Sequence, residues 1–183
     1  MSAITNNPGN INFLSQVGFR FDIARSPNFN YFIQRVEFPG VSLQPVQMPT
    51  PFVKVPLPGE HLDYDKLSIT FKLDEDLRGY FEMYDWLTAL GKPENFDQSS
   101  VIYKNKRYDE HAVYSDASLV ILDANMNPNV TINFYDMIPI RLSGFTLQTD
   151  ANDIQFITAS MEFSYRMYKY EYMTGKYTDP YNP

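Results

Sequence analysis

The chain has 183 residues, 44% of them hydrophobic and 16% aromatic, a formal net charge of −7, a pI near 4.7 and no cysteine. The missing cysteines exclude disulfides, thiolate nucleophiles and thiolate metal sites. The acidic balance argues against a protein that grips nucleic-acid phosphates, which needs a basic footprint. At this length a single domain over residues 1–183 is expected, with enough chain for a real core.

Residues 1–12 are polar and Asn-rich and read as a flexible N-terminal arm. They have neither the basic start nor the apolar stretch of a secretory signal. No stretch approaches the ~18–20 apolar residues of a membrane span, so the chain is expected to be soluble and made in the cytoplasm. Val17, Phe19, Phe21 and Ile23 alternate with polar residues, as in a half-buried strand. Ser26-Pro27-Asn28 supplies a turn into a second strand, Tyr31–Phe38, which ends at Pro39-Gly40.

A proline-rich arm follows over residues 39–60, holding Pro39, Pro45, Pro49, Pro51, Pro56 and Pro58, six of the thirteen prolines. Proline fixes φ and cannot donate to a sheet ladder, so the arm is expected to be extended and poorly paired to its own fold. Such a stretch orders readily against another chain. Lys66–Leu73 then alternates strictly, with Leu67, Ile69, Phe71 and Leu73 inward.

Asp74-Glu75-Asp76 opens an amphipathic helix that ends near Leu90, before Gly91 and Pro93. Leu77, Tyr80, Phe81, Tyr84 and Leu87 recur on it at three- and four-residue spacing, with Arg78, Glu82 and Asp85 opposite. Met83, Trp86 and Leu90 add a second apolar stripe beside the first, more apolar surface than a helix on one sheet needs, so part of it is expected to face a neighbouring subunit.

Residues 92–115 read as a polar loop with a mixed cluster at Lys104, Lys106, Arg107, Asp109 and Glu110. Strands resume at Ser118–Leu122 and Val130–Tyr135, joined by a turn at Asn125-Met126-Asn127-Pro128-Asn129. The phase of the apolar residues changes at Gly144, which predicts a β-bulge there. Ile154–Tyr170 reads as one long last strand, and residues 171–183 as a loose C-terminal tail.

Catalytic constellations are missing. His61 and His111 are solitary, and no Gly-x-Ser-x-Gly elbow supports a triad with either. The acids at Asp74-Glu75-Asp76 stand at a helix start, where capping explains them. All eight glycines are isolated, so no phosphate-binding loop exists. Tyr165, Tyr168, Tyr170, Tyr172 and Tyr177 are better used for packing than for stacking on bases or sugars. No enzymatic activity, cofactor or metal is expected.

The order of segments carries more than any one residue. Gly18–Ile23, Phe32–Gly40, Leu57-Pro58-Gly59-Glu60, Leu67–Leu73, Asp74-Glu75-Asp76 and Tyr84-Asp85-Trp86-Leu87 follow one another as strand pair, Pro-Gly turn, extended loop, strand and Trp-bearing helix. Ile138–Ser143 and Ile154–Tyr168 then close the pattern. This succession, over residues 13–170, resembles the tail-tube family of T4-type contractile bacteriophages. Ala117–Asp123 and Asn127-Pro128-Asn129 look closer to the tail-completion, tube-terminator (sheath-stabilising) protein than to the main tube subunit.

The resemblance implies a mainly β protein, a single-domain β-barrel or sandwich with one flanking α-helix and long extended arms. It implies a virion tail component, a homo-hexameric ring around a DNA channel that contacts adjacent tube, sheath or neck proteins and no membrane. Phe38, Pro39, Phe52, Val53, Val55, Leu57, Tyr84 and Trp86 are the expected subunit-interface residues. A main tube subunit or a baseplate-proximal initiator is the alternative within the family. Outside it, the alternative is a β-sandwich ligand-binding module or small hydrolase using exposed aromatics and acids.

Overall fold

The structure is a computed structural model and describes residues 13–91, 113–149 and 156–173. Six antiparallel strands follow one another in a single sheet, and the outermost two come from neighbouring stretches of sequence. In sheet order they are β1 (Phe19–Ile23), β8 (Ser115–Leu122), β9 (Pro128–Leu142), β10 (Thr158–Ser164), β7 (Leu67–Lys72) and β2 (Ile33–Glu37). A seventh strand, β11 (Met167–Tyr172), pairs with the first half of β9. The mainly β architecture expected from the sequence is what the chain adopts.

The alternation in β7 works as read: Leu67, Ile69 and Phe71 are buried and Ser68, Thr70 and Lys72 face outward. Its neighbours obey the same parity, with Met161 opposite Ile69 and Val36 opposite it on the other side. Phe21, Ile23, Leu119, Phe134 and Met137 complete one continuous core. Fully burying each such side chain contributes roughly 1.5–3 kcal/mol.

Four sequence expectations change. The segment from Ser26 is more than a turn. Pro27, pre-set for helical φ, opens a one-turn helix, α1 (Pro27–Tyr31), and the strand after it begins only at Ile33. Phe29 of α1 is buried and meets the Phe71 ring at 4.6 Å. Asn30 accepts from the Ile23 N–H at 2.9 Å and donates to the Ile23 carbonyl at 3.1 Å, locking α1 to the end of β1.

The bulge lies at Asp136, not at Gly144. Asp136 has a φ of 54°, a left-handed conformation that Asp tolerates better than most residues. Its N–H donates to Asp116 Oδ1 at 3.1 Å, and its carboxylate pairs with Arg166 Nε at 2.9 Å. The bend lets one 15-residue strand pair with β8 and β11 along its first part and with β10 beyond it. The apolar phase changes at Gly144 because the strand has already ended at Leu142.

The last strand is split for the same reason. At Tyr165-Arg166 the chain turns a corner, and the Arg166 N–H donates to the Tyr135 carbonyl at 3.0 Å beside the bent Asp136. Strand β10 therefore belongs to one half of the sheet and β11 to the other.

The main helix, α2 (Arg78–Gly91), begins later than the acidic run. Asp74 caps it: its carboxylate accepts the N–H of Arg78 at 3.0 Å and of Gly79 at 3.4 Å. The buried face of α2 is Gly79, Met83, Trp86 and Ala89, while Phe81 and Tyr84 are half exposed. Met83 and Trp86 of the second stripe are therefore core, Phe81 and Tyr84 of the first are half exposed, and Tyr80, Leu87 and Leu90 pack partly buried against the core.

Candidate subunit interface

The arm departs from the expected unpaired chain. It folds back on itself as two short ribbons, β3 (Val41–Leu43) with β6 (Leu62–Tyr64), and β4 (Val46–Pro49) with β5 (Lys54–Leu57). A two-stranded ribbon leaves each strand one free edge, where a residue without an N–H forfeits no bond. The prolines fit on those terms. Pro45 and Pro58 sit between the ribbons, Pro49 ends β4, and Pro56 lies opposite Gln47. Gly59 is obligatory at the joint, since a Cβ there would lie 2.1 Å from the Gln44 carbonyl oxygen.

The base of the arm is clamped by aromatic rings. Phe38 meets Tyr168 at 5.2 Å and Phe134 at 6.4 Å, and Tyr64 meets Tyr165 and Tyr168 at 5.8 and 5.6 Å. Crowding by burial and by neighbouring tyrosines raises the Tyr165 hydroxyl well above the usual phenol range and raises Tyr168 as well. The Tyr165 hydroxyl is buried without a protein hydrogen-bond partner among the described residues. At the far end Thr50 Oγ1 accepts the Val53 N–H at 3.1 Å and donates to the Val53 carbonyl, fixing the tip.

Beyond its base the arm buries almost nothing. Phe52, at the tip, is 98% exposed, and Val41, Leu43, Val46, Met48, Val53, Leu57 and Leu62 are exposed around it. Large contiguous apolar exposure of this kind marks interaction surfaces. From Phe38 to Gly59 the only charged residue is Lys54, on a chain of net charge −7.

The residues expected at an interface fall into two groups. Phe52, Val53 and Leu57 are exposed on the arm, Val55 is half-buried in it, Phe38 stands half exposed at its base and Tyr84 half exposed on α2. Trp86 and Pro39 are buried within the subunit. Trp86 is only 2% exposed, packs against Phe163 at 6.2 Å, and carries the Arg25 guanidinium 5.1 Å above its ring. That leaves it almost no surface to offer a neighbour.

Val41, Leu43, Val46, Met48 and Leu62 were missed because short ribbons among prolines give no period to read. Phe13, Leu14, Val17 and Tyr31 are also exposed near the start of β1 and on α1. His61 is exposed, and the described residues hold no group of acids and histidines able to bind a metal. His111 and the Lys104, Lys106 and Arg107 cluster lie outside the described residues, and no helix among those described is long and apolar enough to cross a membrane.

No protein-family model and no curated protein sequence matches the chain. Solved structures do. The tube-terminating cap of the anti-feeding prophage superposes with a TM-score of 0.63 at 8% identity, covering 94% of this chain and 99% of that one. The chain has the tail-tube fold.

A sheath–tube component of the extracellular contractile injection system PVC matches with a TM-score of 0.55 at 12% identity, over 94% of this chain and 99% of the other. The sheath/tube terminator of the same system gives 0.55 at 11% identity, over 88% and 99%. At such identities the likeness is one of fold. The resemblance seen in the order of sequence segments and the superposition of the folded chain agree on the same fold.

Proposed function

We propose that this chain is a non-enzymatic structural subunit of a contractile tail, forming a homo-hexameric ring of the tube and specifically its terminator at the head-proximal end. The observation that carries the reading is the arm: a self-paired, nearly uncharged ribbon most of whose apolar side chains stay exposed. Apolar surface of that extent is stabilised when another chain covers it. In a ring each subunit extends its arm onto a neighbour and receives one in turn, a head-to-tail contact that closes by rotation. The terminator assignment draws on the superposition with a tube-terminating cap, whose TM-score of 0.63 exceeds the 0.55 of the sheath–tube component. Adjacent tube, sheath or neck proteins are the axial partners in this reading.

The channel is a passive conduit for DNA. Six copies carry 6 × −7 = −42 formal charges, and like charge opposes phosphate contact where screening is weak. Negative-stain microscopy of the purified protein tests the assembly. Discrete six-fold rings are expected for a terminator. Long tubes would mark a main tube subunit, and a monomer with a small-molecule ligand would remove the tail reading. A mobility-shift measurement at ~50 mM salt tests the conduit, because tight binding that falls steeply with added salt would reveal a DNA-gripping subunit instead.

A further inference from the structure

We propose that the tip of the arm docks, through Phe52, into the groove between β1, α1 and β2 of a second copy of this chain. The inference rests on the ring reading above and adds where the arm lands. The groove is the seam of the sheet: β1 and β2 are its two outer strands, consecutive in sequence yet unpaired to each other because α1 stands between them. The space there is about 740 Å³, a size that takes bulky side chains. Val17, Phe19, Pro27, Tyr31 and Ile33 supply apolar lining. Tyr31 and Val17, at 84% and 78% exposed, leave its rim uncovered.

The backbone at the seam is also available. Asn30 occupies both the N–H and the carbonyl of Ile23, so these groups point away from β8. By the two-residue alternation of a strand, the same groups of Phe21 and Phe19 point into the seam. Among the described residues neither makes a backbone hydrogen bond on that side. An unpaired strand edge beside an apolar groove is a template for an incoming extended segment.

The arm suits this landing in its fixed geometry and in its net charge. Its tip is held by Thr50, so Phe52 is presented on a fixed turn, and little ordering entropy remains to be lost on docking. The charge also suits. Residues 38–59 carry +1, which leaves −7 − (+1) = −8 for the rest of the chain, so the arm approaches a second acidic subunit without repulsion. Within one subunit β4 and β5 contact chiefly each other. The contact is therefore between copies, tip of one into seam of the next.

The native chain has no cysteine, so paired cysteines give a clean test. Val53, beside Phe52 at the tip, and Gln34, a polar residue of the seam, are both exposed, and Val53→Cys and Gln34→Cys leave the core and the Phe52 anchor untouched. Rings carrying both changes, treated with a short bis-maleimide, should give a ladder of covalent dimers to hexamers on denaturing gels. Each single variant should stay monomeric, as should Val53→Cys paired with Ser160→Cys on the opposite half of the sheet. Intact rings that yield no ladder from the Val53–Gln34 pair, or an equal ladder from the Ser160 pair, would overturn this landing site while leaving the ring reading standing. Parent protein that forms no rings in the same images would overturn both.

Discussion

The helix α2 and the distal ribbon of the arm are similarly rich in large apolar side chains, and the fold treats them oppositely. The helix puts Met83, Trp86 and Ala89 into the core and leaves Phe81 and Tyr84 half exposed. The ribbon leaves Val46, Met48, Phe52, Val53 and Leu57 in solvent. A helix lying against a sheet has an inside. A two-stranded ribbon has none, and on its own is marginally stable at best. Apolar residues therefore report folding in α2 and assembly in the arm, although their composition alone does not tell the two apart.

The sharpest way to break this contrast is to truncate one residue from the helix. Trp86→Ala should cost about 3–5 kcal/mol of subunit stability, the range for a buried large aromatic, read by urea unfolding of the unassembled protein. An unchanged midpoint with lost rings would return Trp86 to the interface.

Excising Gln44–His61 and joining Leu43 to Leu62 by a two-residue Asn-Gly turn should do the reverse. Rings should disappear from negative-stain fields, while the unfolding free energy stays within about 1 kcal/mol of the parent, as for surface changes remote from a core. A large loss of stability would mean the arm belongs to the fold.

Asp74→Ala sharpens the helical side of the comparison by removing the cap from the Arg78 and Gly79 N–H groups. A loss of about 1 kcal/mol is expected by thermal or denaturant melting, without effect on ring formation.

The smallest effect is expected at the aromatic clamp that joins the arm to the sheet. Tyr165 has its ionisation raised in the folded state, first by burial and then by Tyr168, Tyr64 and Asp65. The folded protein therefore keeps this proton where the unfolded chain releases it, above pH ~10. Its contribution is complete below that pH and is lost as pH rises further. Tyr165→Phe should leave neutral stability unchanged or raise it by up to about 1 kcal/mol, because the deleted hydroxyl has no protein partner. It should also flatten the alkaline fall in a pH series of melts; an unaltered alkaline slope would show that the clamp is looser than its ring distances imply.

The sequence by itself determined the mainly β class, β7, the position of α2 behind an acidic run able to cap it, and the arm as a distinct part of the chain. These are carried by local signals: strict alternation, a carboxylate ahead of a helix, and proline spacing. The phase of α2 was not legible, because two adjacent apolar stripes satisfy the same 3.6-residue period and only the surface they meet selects one. Nor was the pairing of the arm, since β3 finds β6 about twenty residues away. The corner at Tyr165-Arg166 and the bend at Asp136 depend on each other through an ion pair between residues thirty apart in sequence. The seam between β1 and β2 exists only because the sheet brings its two ends round to α1. Tertiary structure decided these features because each is fixed by a contact between distant residues, and a local pattern carries no record of its partner.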